Sequence, residues 1–148
     1  MPDIEPIALA ELTTLRTGGV PSRMIEARTR DELVTALREA WATQDTWLAL
    51  GGGSNLFVGD EAFDGTVVRI MTNGIERLPS ARPGLARLRV EAGDDLGGLV
   101  AYAVGQGLAG VEGVSGLPGT RGGGPGEKRG GHRLGVEHKT LQGGRVDR

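Results

Sequence analysis

Apolar residues in the first 120 positions fall into short blocks whose spacing changes along the chain. Four of these blocks are alternating or unbroken apolar stretches, and Thr66–Met71 is in addition rich in β-branched residues, which is typical of strands. The predicted strands are Arg23–Ala27, Trp47–Leu50, Thr66–Met71 and Arg87–Ala92. Because Trp47–Leu50 is apolar throughout and is followed by three glycines, we expect it to be a buried strand that ends at Gly51.

Two other blocks have helical spacing. Thr29 followed three residues later by Glu32 matches a capping box, which predicts a helix over 29–44. Its expected apolar face consists of Leu33, Val34, Ala36, Leu37, Ala40 and Trp41. A second helix is predicted from Asp94 or Asp95 to Gly105. This order of elements predicts an α+β or α/β fold instead of an all-helix or all-strand one. We expect an α+β unit in which helix 29–44 packs on a small sheet that includes 46–50 and 66–71.

Charge divides the 148 residues into two kinds of sequence. Residues 1–120 carry 10 Lys and Arg against 16 Asp and Glu, whereas residues 121–148 carry 7 against 3. The second segment has four Leu or Val residues as its large apolar side chains, too few to offset the entropy lost on ordering a backbone. We therefore expect 125–148 to be an irregular, mobile, Gly/Arg-rich tail.

Composition excludes several kinds of site. The chain has no cysteine, which rules out disulfides, thiolate metal sites and a cysteine nucleophile. No apolar run approaches the roughly 20 residues of a membrane-spanning helix, and the start of the chain is acidic. The spacing of His132 and His138 suits no known ligand pattern, and the basic tail has no aromatic residue for base stacking. We expect a cytoplasmic protein without a metal ion, a nucleic-acid partner or a membrane anchor.

The segment Leu50–Val58 carries the most informative motif, Gly51-Gly52-Gly53-Ser54-Asn55 directly after the predicted buried strand. Consecutive glycines let backbone N–H groups converge on an anion, and the Ser and Asn side chains suit phosphate oxygens. The motif lacks the lysine of a Walker A loop, and the apolar residues after it do not open a helix as in a Rossmann fingerprint. From composition alone, an anion site and a simple tight turn are equally supported.

The glycine-rich segment resembles the FAD pyrophosphate loop of the UDP-N-acetylenolpyruvoylglucosamine reductase family. Further segments resemble that family in its own order and spacing, and the resemblance covers about 10–124. These segments are Leu12–Gly19, Val90–Asp94, Gly107–Glu112 and Ser115–Thr120.

The resemblance implies a two-lobed FAD-binding fold of the vanillyl-alcohol-oxidase type with an incomplete second lobe. It implies a first lobe at 10–75, the start of a second lobe at 76–124, and the tail at 125–148. It further implies that NADPH reduces the flavin, which then reduces the enolpyruvyl group of a UDP-sugar in peptidoglycan synthesis. By the same resemblance, Gly51, Gly52, Gly53, Ser54 and Asn55 hold the pyrophosphate, and Pro118, Gly119, Gly122 and Gly123 line the flavin.

Arg121 stands where the family has an apolar residue. The chain keeps Gly122, Gly123 and Pro125 of the family pattern and then departs from it, with Glu127 and Lys128 where the family has Gln-Asn. The arginine, serine and glutamate on which the family's chemistry relies lie beyond this point, so no catalytic residue is assigned. Two explanations of the tail are an out-of-frame sequence and a truncated gene. The alternative function is accordingly an inactive FAD-binding remnant. We also expect a Cβ at Gly52 to meet the phosphate, at a position where φ is positive.

Overall fold

The computed structural model describes residues 3–81, 83–111, 115, 119–120, 130–131, 134–135, 140–142 and 145–147. The chain divides into two units, Met1–Thr72 and Asn73–Arg148. The first unit contains β1 (Asp3–Ile4), a 3₁₀ helix (Leu9–Glu11), β2 (Pro21–Ala27), α1 (Arg30–Ala42), β3 (Trp47–Leu50) and β4 (Phe63–Ile70).

A four-stranded sheet in the order β1-β2-β4-β3 forms the centre of the first unit. β4 lies between β2 and β3 and is parallel to both, whereas β1 runs antiparallel to β2 at one edge. The predicted strands at 23–27, 47–50 and 66–71 are therefore confirmed as members of one sheet. β4 begins at Phe63, three residues earlier than predicted, because backbone pairing extends the strand beyond its β-branched stretch.

Helix α1 begins as its capping box predicts. The Thr29 side chain accepts a hydrogen bond from the Glu32 N–H, and the Glu32 carboxylate accepts one from the Thr29 N–H. Ala36 and Ala40 are fully buried against Ile25 and Val68 of the sheet. Small side chains at these two positions let the helix lie close to the β-branched and aliphatic residues beneath it.

The predicted apolar face of α1 is wrong at two positions. Trp41 is 74% exposed and Val34 is 41% exposed. The Trp41 ring lies against Trp47, with ring centroids 6.0 Å apart, so it covers the edge of the sheet instead of entering the core. Spacing predicts which side of a helix is apolar, but not how far along that side the neighbouring sheet extends.

The opposite face of the sheet carries a second core. Leu9, from the 3₁₀ helix, packs with Met24, Leu50 and Val67, and all four are at most 2% exposed. Ile7, Leu12, Leu56 and Val58 are partly buried and surround this group. The segments before β2 and after β3 therefore lie over the same face of the sheet.

In the second unit, a four-stranded sheet and one helix are described. Its elements are β5 (Ile75–Leu78), β6 (Arg87–Val90), α2 (Leu96–Gly105), β7 (Gly130–Gly131), β8 (Leu134–Gly135), β9 (Thr140–Gln142) and β10 (Arg145–Asp147). The strands β5-β6-β10-β9 pair antiparallel, and β7 pairs with β8. Among the residues that the structure describes, no helix is long and apolar enough to cross a membrane.

The tail was predicted to be irregular, and the structure differs from this expectation at β7–β10. β10 pairs with the edge of β6, Arg145 opposite Arg89 and Val146 opposite Leu88. This pairing uses backbone N–H and C=O groups, which do not depend on the apolar content of the side chains. A segment with few apolar side chains can therefore still pair as a strand.

Candidate functional site

The glycine-rich loop, residues 51–55, begins where β3 ends. Leu50 is 2% exposed and is paired in register with Arg69 of β4, so Gly51 is the first residue beyond the paired strand. β2, β3 and β4 run parallel, and the loop therefore lies at the edge where the carboxyl ends of all three strands meet. Open sheets with parallel strands bind ligands at this edge.

Gly53 fixes the shape of this loop. Its φ is +65°, in the left-handed region, and an added Cβ would overlap the carbonyl oxygen of Leu12. The Gly53 carbonyl accepts a hydrogen bond from the Thr14 N–H at 3.0 Å. Positive φ was expected at Gly52, and this expectation is wrong. Gly52 is exposed and has no left-handed backbone, because Gly53 makes the close contact with the preceding segment.

The opening segment, residues 12–19, supports the loop from the side of the 3₁₀ helix. The buried Thr13 hydroxyl donates to the Thr17 carbonyl at 2.9 Å and accepts from the Thr17 N–H at 3.2 Å. The Gly18 N–H donates to Asp60 Oδ1 at 2.9 Å, and the Gly19 N–H donates to the Gly59 carbonyl at 3.1 Å. Two motifs that the sequence presents 30 residues apart thus form one structure.

Several backbone N–H groups of the loop have no hydrogen-bond acceptor among the described residues. Within the described residues, the N–H groups of Gly51, Gly52, Gly53 and Asn55 donate no hydrogen bond to another group. Gly52 and Asn55 are exposed, whereas Gly53 is buried. Neighbouring free N–H groups on a short loop are suited to the oxygens of an anion, so these residues fit a diphosphate group.

In the second unit, one of the predicted flavin-lining residues lies beside the start of α2. Gly119, at φ +114°, accepts a hydrogen bond from the Leu96 N–H at 3.2 Å, and Thr120 bridges to Asp95. Asp95 caps α2 by accepting from the Gly98 N–H at 2.7 Å. Pro118, Gly122 and Gly123 lie outside the described residues, so their predicted role stays a prediction.

Shifted pKa values in the described residues occur away from the loop. Hydrogen bonds from the Arg28 and Thr29 N–H groups lower the pKa of Glu32, which caps α1. The carboxylates of Asp3 and Glu39 raise the pKa of Arg23 on β2. The Glu32 contacts cap α1, and the Arg23 contacts connect β2 to β1 and to α1. Among the same residues, no group of three acidic or histidine side chains is placed to bind a metal ion.

The sequence profile of the FAD binding domain matches residues 21–146, most of the chain. The chain belongs to the FAD binding domain family. The match includes the whole glycine-rich loop, and its description agrees with the free N–H groups found there. FAD as the cofactor and the α+β fold are therefore confirmed.

Two similar proteins carry the same name. The UDP-N-acetylenolpyruvoylglucosamine reductase of Leifsonia xyli subsp. xyli is 49% identical over 137 residues, which are 93% of this chain and 36% of the relative. That of Saccharopolyspora erythraea is 45% identical over 141 residues, 95% of this chain and 38% of the relative. The predicted resemblance is confirmed, and the chain spans somewhat over a third of the length of these relatives.

A solved structure supports the same relationship. The crystal structure of UDP-N-acetylenolpyruvylglucosamine reductase (MurB) from Thermus caldophilus superposes with a TM-score of 0.64 and 30% sequence identity. The superposition covers 89% of this chain and 44% of that protein. The profile match reaches residue 146, past Arg121, where the motifs alone indicate that the resemblance ends. An out-of-frame origin of the tail stays a prediction.

Sequence reasoning found the loop but not the residues that hold it. Asp60 and the contact between Leu12 and Gly53 were not predicted, because neither belongs to a motif with a fixed spacing. The ion pairs of Glu26, on the strand beside β4, were also missed. A charged residue in the otherwise apolar stretch Met24–Ala27 is the one signal in the sequence that could have indicated them.

Proposed function

We propose that this chain supplies the FAD-binding part of a UDP-N-acetylenolpyruvoylglucosamine reductase. The observation that carries the proposal is the set of free N–H groups in the glycine-rich loop, at the carboxyl edge of parallel strands. The similarity to reductases of this name, at 45% and 49% identity, supports the assignment to this reaction. The two units would correspond to the two lobes expected from the resemblance.

In this proposal, backbone groups of Gly51, Gly52 and Gly53 and the side chains of Ser54 and Asn55 hold the FAD pyrophosphate. Gly119, with Pro118, Gly122 and Gly123, lines the flavin. Bound FAD supplies hydride transfer from NADPH to the enolpyruvyl double bond of the UDP-sugar. The product would be UDP-N-acetylmuramate, a precursor of peptidoglycan, and the reaction would take place in the cytoplasm. No proton donor is assigned within this chain.

A single substitution in the loop tests the binding part of the proposal. Gly52→Val places a branched side chain where the diphosphate would approach. Gly52 is exposed and lies outside the left-handed region, so we expect the variant to fold. We expect weak FAD binding by the wild type, measured by quenching of flavin fluorescence, and at least about tenfold weaker binding by the variant.

Gly59→Val is the matched control, because Gly59 is an exposed glycine of the same connection with open space around its Cβ position. Its FAD affinity should equal that of the wild type. Equal affinity of the wild type and Gly52→Val would show that the loop is only a turn. Failure of the wild type to bind FAD would contradict the proposed function as a whole.

The second candidate is an FAD-binding chain without turnover. It is favoured by the departure of the sequence from the family's motifs after Pro125. Oxidation of NADPH that depends on the UDP-sugar distinguishes the two candidates. Flavin binding without this oxidation would establish the second.

A further inference from the structure

Glu26 is a buried carboxylate that holds two arginines at the end of β2. It is 8% exposed, and its Oε1 accepts a hydrogen bond from Arg69 Nη1 at 2.7 Å. Its Oε2 accepts from Arg28 Nη2 at 2.6 Å. Burial of a carboxylate is costly unless it is paired and hydrogen-bonded, as Glu26 is here. With two guanidinium groups and one carboxylate, this cluster (Glu26, Arg28 and Arg69) has a formal charge of +1.

The cluster lies on the face of the sheet that the loop covers. Glu26 is paired in register with Arg69, and Met24 two residues earlier is paired with Val67. Side chains two residues apart on a strand point to the same face, so Glu26 and Arg69 share the face of the core formed by Met24, Val67 and Leu50. Arg69 is also the register partner of Leu50, the residue directly before Gly51.

Arg69 retains donors that the ion pair does not use. A guanidinium has five N–H donors in a rigid planar arrangement, and the described residues accept from Nη1 alone. The side chain is 27% exposed, so its remaining donors are accessible. Glu26 restricts the orientation of the group, which lowers the entropy lost when an anion binds.

A diphosphate is negatively charged, and no side chain of the glycine-rich loop carries a positive charge to balance it. Gly51, Gly52, Gly53, Ser54 and Asn55 are all uncharged. We propose that Arg69, oriented by Glu26, supplies the positive charge of the diphosphate subsite formed by the glycine-rich loop. The inference rests on the proposed function and deepens it, since it assigns a binding residue on β4 and a positioning residue on β2.

The test compares two arginines that share one carboxylate. Arg69→Gln removes the guanidinium next to the loop, and Arg28→Gln removes the one whose side chain is 64% exposed beyond the end of β2. FAD affinity of the full chain is measured for each, together with affinity for riboflavin, which has no diphosphate. We expect Arg69→Gln to weaken FAD binding about tenfold and to leave riboflavin binding unchanged.

Arg28→Gln should change FAD affinity less than about threefold, because an exposed ion pair contributes little. Arg69→Lys should recover part of the lost affinity, since it keeps the charge without the planar arrangement of donors. The dependence of FAD affinity on salt should be flatter in Arg69→Gln than in the wild type, because one interacting charge is missing. This salt dependence is decisive even where riboflavin binds too weakly to measure.

Arg69→Gln leaves Glu26 with one partner, so the double variant Glu26→Gln/Arg69→Gln, which removes both charges, is measured beside it. Both should show the same loss of FAD affinity. The inference is overturned if Arg69→Gln binds FAD as the wild type does, or if riboflavin affinity falls in parallel. If Gly52→Val loses FAD while Arg69→Gln keeps it, the proposed function stands and this inference fails. If the wild type binds no FAD, both fail.

Discussion

Replacing Gly53 with Ala tests whether the glycine-rich loop has the shape described. At φ +65° an L-residue costs about 1–2 kcal/mol relative to glycine. The new Cβ would in addition overlap the Leu12 carbonyl oxygen and lie 3.0 Å from the Leu12 carbonyl carbon and 3.1 Å from Thr13 Cα. These are backbone atoms, which cannot rotate away, and forced overpacking costs about 1–3 kcal/mol. We therefore expect a loss of about 3 kcal/mol in the free energy of unfolding.

Urea unfolding, followed by tryptophan fluorescence, measures this loss because both tryptophans, Trp41 and Trp47, lie in the first unit. Gly59→Ala is the control, since a Cβ there meets nothing within 4 Å. It should change stability by less than about 0.5 kcal/mol. If Gly53→Ala is as stable as Gly59→Ala, the contact between the loop and the opening segment does not exist, and the account of the site is wrong.

Two further predictions concern polar groups. Thr17 Oγ1 is buried without a hydrogen-bond partner among the described residues, so Thr17→Val should stabilise the fold by about 1 kcal/mol in urea unfolding. Thr13→Val, which removes two hydrogen bonds to Thr17, should destabilise it, and the reverse order would refute this account. Because hydrogen bonds lower the folded-state pKa of Glu32 below its ordinary value of 4.5, its stabilising contribution is present above that value and is lost as the pH falls through the folded pKa. The difference in unfolding free energy between wild type and Glu32→Gln should therefore become smaller as the pH falls from about 7 to about 3. A difference that does not change with pH would contradict this prediction.

Local signals predicted α1 and three of the four strands of the first unit. The capping box located the start of α1, and β-branched or apolar stretches located three strands of its sheet. β1 and β5 were not predicted, since Asp3–Ile4 and Ile75–Leu78 are short and are strands because a partner strand pairs with them. The prediction that Trp41 belongs to the buried face of α1 is wrong for a similar reason, namely that burial depends on a neighbouring element. Its environment depends on where the sheet ends, which no pattern within the helix reports.

The residue types of the candidate site could be predicted from the sequence, but their arrangement in space could not. Three glycines after a buried strand indicated a loop that could bind an anion, and the structure places free N–H groups there. The assignment of positive φ to Gly52 instead of Gly53 failed because the deciding contact comes from Leu12, about 40 residues earlier in the chain. The sequence does not indicate Arg69 as a site residue for the same reason. Its proximity to the loop follows from strand register, which depends on long-range pairing.

The position of β4 in the sheet determines when the glycine-rich loop acquires its shape. β2 and β3 are not neighbours, and each finds its parallel partner only in β4, which follows both in the chain. β4 also supplies Val67 to one core and Val68 to the other, so neither core is complete without it. During synthesis, the loop is therefore made before the strand that fixes its base at Leu50. We therefore expect the glycine-rich loop to become ordered late in the folding of the first unit, after the closure of long-range contacts such as Pro21 with Phe63.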